Sequence, residues 1–189
     1  GRRANLSPEH SSLNKRIEGV IATQRTETGM PYTDADVTEL QRLSIDVLTA
    51  PAPGGNYFAY RTGRNASSDP GTRGENYTMM TNYLAKTLNA GMGRYIGALQ
   101  SRRVDDKTRR DIKATLDAFL SILANTQPYP MIDEFDVVVN KSNNSNETIA
   151  LGYAFAYVRV VYMSIVEFLV INLEGGQTVQ ITRQNQAPF

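Results

Sequence analysis

The side chains that most often carry chemistry are sparse in this sequence. Of its 189 residues none is cysteine, and His10 is the single histidine. Disulfides and thiolate metal sites are therefore excluded, and one imidazole in a polar segment gives a histidine metal cluster or a Ser/His/Asp triad almost nothing to work with. Three carboxylates, Asp133, Glu134 and Asp136, gather ahead of a β-branched run. A strand would send Glu134 and Asp136 to one face, as acid/base partners require. No nucleophile or metal motif accompanies them, so they read as solvated residues at the start of a strand. Gly91-Met-Gly-Arg-Tyr-Ile-Gly97 has the spacing G-x-G-x-x-x-G and follows a helical pattern. A dinucleotide-binding loop needs G-x-G-x-x-G after a strand, so this stretch reads as a helix terminator. The Asn-x-Ser/Thr tripeptides at Asn5, Asn65, Asn76, Asn140, Asn143 and Asn146 read as polar loops. No cofactor and no metal are implied.

Two charged features remain. Arg102, Arg103, Lys107, Arg109 and Arg110 form a basic cluster, diluted by Asp105, Asp106 and Asp111. It is either the soluble start of a helix or a charged docking surface for a protein partner. Glu167 lies inside an apolar run, where it either pairs with Arg159 across a hairpin or makes a polar contact with a neighbouring subunit. The formal net charge of +1 gives no general reason to expect nucleic-acid or membrane affinity.

The elements that must position these residues follow from periodicity. At 189 residues the chain fits one domain, large enough to bury about 70% of its unfolded surface. Residues 1–16 are polar and without period, and read as a linker or arm whose ordering depends on something outside the chain. The opening GRRANLSPEH, with no initiator methionine or apolar stretch, leads to the expectation of a piece of a longer protein. Gly19 to Gln24 reads as a short strand. Thr33 is an N-cap for a helix with Asp34 and Asp36 in its first turn and Val37, Leu40 and Leu43 at helical spacing, ending near Ser44. Ile45 to Thr49 and Tyr57 to Arg61 read as strands, and residues 62–74 as an exposed, mobile loop. Helical spacing returns from Glu75, with Tyr77, Met80, Leu84 and Leu88 on one face, until Asn89 to Gly93 breaks it. Arg94 to Leu99 then reads as a strand or a loop and strand. A second long helix starts at Asp105 or Asp106 and runs to about Asn125, with Ile112, Leu116, Phe119 or Leu120, and Leu123 at core spacing. Phe135 to Val139 is a strand leading into an Asn-rich turn.

Gly152 to Arg183 is the longest apolar stretch. Arg159 and Glu167 near the middle of its apolar part argue against a membrane span, since each costs about 2.5–3.5 kcal/mol there. Period two puts Tyr153, Phe155, Tyr157, Arg159 and Val161 on one face. A turn near Met163 and Ser164, a second strand from Ile165 to Leu173 and a last one from Thr178 to Thr182 complete a meander, with Tyr153 to Leu173 expected to hold the core. The fold class is α+β (mixed α/β): a largely antiparallel sheet flanked by long helices, with a C-terminal β-meander. Its parts are an arm at 1–16, a core domain at 17–176 and a terminal strand and tail at 177–189.

Several stretches, in order, resemble the C-terminal domain of contractile phage tail sheath proteins, a family that includes the sheaths of R-type pyocins and type VI secretion systems. They are Tyr32 to Leu48, Pro53-Gly-Gly-Asn-Tyr-Phe-Ala-Tyr-Arg-Thr62, the helix from Tyr77 to Tyr95, Phe135-Asp-Val-Val-Val-Asn-Lys-Ser-Asn-Asn-Ser145, and Ile165-Val-Glu-Phe-Leu-Val-Ile171. Tyr162-Met-Ser-Ile165 departs from the pattern, having no proline where many members carry a proline-bearing turn. The resemblance implies a non-enzymatic structural subunit that stacks in hexameric rings around a tail tube, with other sheath subunits and the tube protein as partners. It also implies strand exchange between subunits, for which Gln177, Thr178, Val179, Gln180, Ile181, Thr182 and Arg183 are the candidate residues. Arg102, Arg103, Lys107, Arg109 and Arg110 are the candidates for docking to the tube or another partner. The implied location is the virion tail, assembled in the host cytoplasm, with no nucleic-acid partner and no membrane insertion. The chain by itself is expected to be monomeric. The alternative from another class is a small α/β enzyme or ligand-binding domain with residues 62–74 as a lid.

Overall fold

The computed structural model of the protein describes residues 2–167, Leu169 and Ile171. Its elements in chain order are a 3-10 turn at Arg2–Asn5, α1 Gln24–Glu27, α2 Asp34–Arg42, β1 Leu48–Thr49, β2 Ala59–Tyr60 and α3 Glu75–Met92. A 3-10 turn at Gly93–Tyr95, α4 Lys107–Ala124, β3 Ile132–Val138, α5 Asn146–Ala150 and β4 Tyr157–Tyr162 follow. The class is α+β. Among the described residues the strands form two antiparallel pairs, β1 with β2 and β3 with β4.

The main core lies where α3 and α4 cover one face of the β3–β4 pair. Met80 and Leu84 of α3, Ile112, Leu116, Leu120 and Leu123 of α4, and Ile132, Val137 and Val139 of β3 and its exit form one buried cluster. The α4 positions recur at four, four and three residues, which keeps them on one stripe of a 3.6-residue helix. Each such side chain contributes about 1.5–3 kcal/mol by leaving water. β4 adds Val158, Val160 and Tyr162 to the rim of this cluster, while Tyr153, Phe155, Tyr157 and Val161 remain exposed. The run from Tyr153 therefore supplies one side of a sheet, and the core belongs to the helices and β3. Helices on one face cannot cover both sides of a two-stranded sheet.

Thr33 caps α2 in a capping box, its hydroxyl accepting from the Asp36 N–H while Asp36 accepts from the Thr33 N–H. The Thr33 N–H, at 3.0 Å, and the Thr33 hydroxyl, which also donates to this carboxylate at 2.9 Å, hold the Asp36 carboxyl below its usual range. Three local readings fail. Gly19 to Gln24 forms a turn and the start of α1 rather than a strand, with Ile21 94% exposed. Arg94 to Leu99 is a 3-10 turn and loop rather than a strand. Ile165 to Glu167 carries no strand; residues 172–189, including the expected strand Thr178 to Thr182, lie outside the described residues.

The irregular segments are tied by single polar side chains. Asp46 accepts main-chain N–H bonds from Arg61, Thr62 and Gly63 at 3.1, 2.9 and 2.9 Å. Glu75 accepts from the Ser11 hydroxyl at 3.1 Å, from the Ser12 N–H, and pairs with Arg3. Leu13 bridges to Tyr60 in parallel, and Asn14 N–H donates to the Tyr60 carbonyl at 2.9 Å. The N-terminal segment is thus held by the chain's own residues, with Ser11 and Ser12 buried, where a segment ordered from outside was expected. Asn144, fully buried, donates to the Phe155 carbonyl at 2.9 Å and accepts from its N–H at 2.7 Å, so its amide pairs with Phe155 as a neighbouring strand would.

Gly63 marks the tightest crossing. Its φ is +59°, and an added Cβ would lie 2.1 Å from Ser11 Oγ and 3.1 Å from the Leu13 N. Gly63→Ala is expected to destabilise by about 2–4 kcal/mol, from the left-handed backbone and overpacking together. Gly97→Ala, at φ +89° in open space, should show only the backbone part, about 1–2 kcal/mol. Urea denaturation midpoints of both variants check the difference.

Candidate interaction surface

The carboxylates Asp133, Glu134 and Asp136 are all exposed. In the β3–β4 register Asp136 faces Arg159, and Glu134 faces Val161. Neither cross-strand neighbour is a nucleophile. His10 lies 3.7 Å from Glu9, and among the described residues no group of three or more His, Cys, Asp or Glu side chains is placed to hold a metal. No described helix is long and apolar enough to cross a membrane.

The basic cluster divides in two. Arg102, Arg103, Lys107 and Arg110 are exposed, but Arg109 is 2% exposed and cannot face a partner. Its place is set by helical spacing, three residues before Ile112 on the buried stripe of α4. Its guanidinium donates to the carbonyls of Ser101, at 2.9 Å, and Arg103. Asp106 completes the clamp as N-cap of α4: its carboxylate accepts from the N–H groups of Ser101 at 2.8 Å and Arg109 at 3.1 Å, and lies 3.9 Å from the guanidinium. Burial would push the Asp106 carboxyl up, but the hydrogen bonds from Ser101 and Arg109 and the Arg109 charge outweigh it and hold the carboxyl below its usual range. Thr108 Oγ1 adds a bond to the Leu99 carbonyl at 2.5 Å.

These bonds tie the 96–106 loop to the start of α4, and the loop presents apolar side chains outward. Ile96 and Leu99 are 87% and 91% exposed, and Val104 is exposed beside them. Gln100 Nε2 donates to the Tyr153 carbonyl at 3.1 Å, which brings the loop against the segment before β4. There Leu151, Tyr153 and Phe155 are also exposed, the last two stacked with ring centroids 5.9 Å apart. Between them opens a cleft of about 320 Å³ whose lining includes Met92, Tyr95, Ile96, Ile112, Ala154 and Ala156. Exposed apolar groups around a cleft, with charges at the margin, are the anatomy of a protein–protein interface. Arg102, Arg103 and Arg110 form no ion pair among the described residues, while Lys107 is held by Asp111 at 2.6 Å, whose hydrogen bond and charge raise its pKa. Sequence reasoning found the arginines and missed the apolar loop. The signal available was Ile96 and Leu99 lying between Gly93, Gly97 and a polar stretch, with no period to bury them.

Glu167 pairs with Arg64, and Arg159 lies over the Tyr157 ring instead. The hairpin pairing expected for Glu167 fails because Arg159 faces Asp136 on β3, and the chain after Tyr162 runs towards the 62–74 loop. Residues Gln177 to Arg183, the candidate exchange strand, lie outside the described residues.

Comparison with protein-family models and with curated protein sequences gave no match. Solved structures do match. A chain of the anti-feeding prophage baseplate, 6-fold symmetrised, aligns with a TM-score of 0.76 and 14% identity over 92% of this chain and 47% of that one. A chain of the PVC sheath complex of an extracellular contractile injection system, in the contracted state, aligns at 0.75 and 13% over 92% and 48%. The anti-feeding prophage helical sheath in the contracted state aligns at 0.71 and 14% over 90% and 46%. At these identities the shared property is the fold, and this chain spans about half the length of those it matches. The fold is therefore that found in contractile injection system sheath structures.

The clamp predicts a pH dependence. A carboxyl whose pKa is lowered by folding adds stability that is fully present above the ordinary carboxylate range and is lost as pH falls through the lowered value. The stability difference between the wild type and Asp106→Asn, read from urea midpoints, should be largest near neutrality and shrink below about pH 4. Arg109→Leu, which strands the buried carboxylate, should cost about 3 kcal/mol at pH 7.

Proposed function

We propose that this chain is a structural domain of a contractile sheath subunit. The observation that carries the reading is the alignment of nine-tenths of the chain with half of a sheath chain in a contracted assembly. The apolar loop at 96–104 and its arginine margin supply the kind of surface such packing needs. In this reading the domain packs against copies of itself in rings around a tube, and the sheath shortens by rigid-body rearrangement of subunits, with no bound nucleotide required. Arg102, Arg103, Lys107 and Arg110 are the proposed charged contacts with the tube or an adjoining subunit. Gln177 to Arg183 is the proposed strand donated to, or received by, a neighbour, since main-chain hydrogen bonds give affinity without a side-chain code. The particle is a phage tail or a related injection system acting on a target cell envelope, and the sheath's role in it is mechanical rather than catalytic.

Assembly is the test. The full-length protein is expected to form rings or tubes in negative-stain electron micrographs, whereas this chain alone should sediment as a monomer. Ile96→Ser with Leu99→Ser should leave the urea midpoint within about 0.5 kcal/mol of wild type, because both side chains are already in water, yet reduce assembly. Val179→Pro should impair assembly more than folding, since an edge strand tolerates proline better than a central one. Equal loss of both, or a full-length protein that never assembles, defeats the reading.

A further inference from the structure

A second cleft lies where the end of α2 meets the 62–74 loop. A cleft of about 360 Å³ opens there, and Arg42, Arg64, Arg73, Thr38, Ser44 and Ser68 are among the residues that line it. Three guanidinium groups around one cleft need anions. Arg42 is paired with Glu39 on its own helix at 2.9 Å, and both side chains are mostly exposed. Arg64 is paired with Glu167, and its side chain is 17% exposed. Its Nε is shielded from solvent and has no acceptor among the described residues, so within them this guanidinium retains an unmet donor. Arg73 pairs with no carboxylate among the described residues.

The hydroxyl groups point the same way. Ser44 ends α2 with φ +58°, while the Ile45 N–H reaches back to the Leu40 carbonyl at 2.9 Å. Glycine is the residue that adopts this left-handed terminator without strain; serine costs stability there and places a hydroxyl in the cleft lining. The loop opposite is held by its own bonds before any ligand arrives. Asn65 Nδ2 donates to the Thr72 carbonyl at 2.7 Å and to Thr78 Oγ1 at 2.9 Å, and Ser67 Oγ meets Thr72 Oγ1 at 2.9 Å. Arg64 and Gly74 form an antiparallel bridge at its base. Donors held in place before binding lower the ordering cost of capturing a ligand.

We propose that this cleft binds a phosphate group. A carboxylate offers two oxygens, whereas the arginines and serines that line this one cleft supply enough N–H and O–H donors to match the several acceptor oxygens and double charge of a phosphate. Glu167 is the internal competitor, because it occupies part of the Arg64 fork. The proposal stands independently of the sheath reading.

The probes are inorganic phosphate and pyrophosphate, titrated at constant ionic strength and followed by amide shifts in heteronuclear NMR spectra. Saturable shifts are expected at Ser44, Arg64 to Ser68 and Arg73. Tighter binding of pyrophosphate would assign the cleft to a phosphate chain, and equal or weaker binding to a single phosphate group. Arg73→Ala should weaken binding about tenfold or more, the loss of one charge-assisted contact. Glu167→Gln, by releasing Arg64, should tighten it several-fold. Arg94→Ala, at a basic position elsewhere on the surface, should leave it unchanged. Non-saturating shifts spread over every arginine, or affinity insensitive to Arg73→Ala, would overturn the proposal.

Discussion

A sheet that, among the described residues, has two strands and is covered on one face only is the constraint on which the rest of this structure depends. β3 and β4 pair along their whole length, and α3 and α4 bury the side that carries Ile132 and Val137. Two strands alone are marginal in water and gain independent stability from such a helical layer. The layer cannot reach the other face, so Tyr157, Arg159 and Val161 stay in solvent with Glu134 and Asp136. One arrangement thus accounts both for a stable core and for apolar surface left uncovered among the described residues.

With so little regular sheet, the chain relies on a second device. Asp46, Glu75, Asp106 and Asn144 each gather main-chain groups that have no ladder to join. Unpaired buried N–H and C=O groups cost about 1–3 kcal/mol each, so one short side chain that satisfies two or three of them stabilises a segment that propensity alone would leave open. Two of these groups also position exposed loops. Asp106 and Arg109 hold the loop that carries Ile96 and Leu99 outward, and Asp46 fixes the base of the loop that carries Arg64 and Arg73.

Local chemistry was legible from the sequence wherever the signal and its partner lie within one or two turns. Thr33 and Asp36, the start of α4 at Asp105 or Asp106, which the structure places with Asp106 as the cap, and the α4 stripe of Ile112, Leu116, Phe119 or Leu120, and Leu123, with Leu120 the buried one, are of this kind. So was the solvated character of Asp133, Glu134 and Asp136. The readings that failed are those in which a short apolar run had to choose its surroundings. Ile21, Ile96 and Leu99 have strand-forming side chains but no neighbouring strand to pair with, so they lie in turns and loops. Of the candidate interaction surface, the arginines were visible and the apolar loop between them was not.

The sequence by itself determined the α+β class, the two long helices, the Thr33 cap of α2, the lack of thiol and multi-histidine chemistry, and the ordered stretches that resemble a sheath domain, because each rests on residue type and short spacing. Tertiary structure alone decided that Arg109 is a buried clamp rather than a docking charge, that Glu167 meets Arg64 rather than Arg159, and that Ser11 and Leu13 close over Gly63. These contacts join residues up to about a hundred positions apart or turn on which side of a helix the core occupies. Spacing along a chain carries no record of which distant group supplies the matching charge, and folding settles it by what burial leaves unpaired.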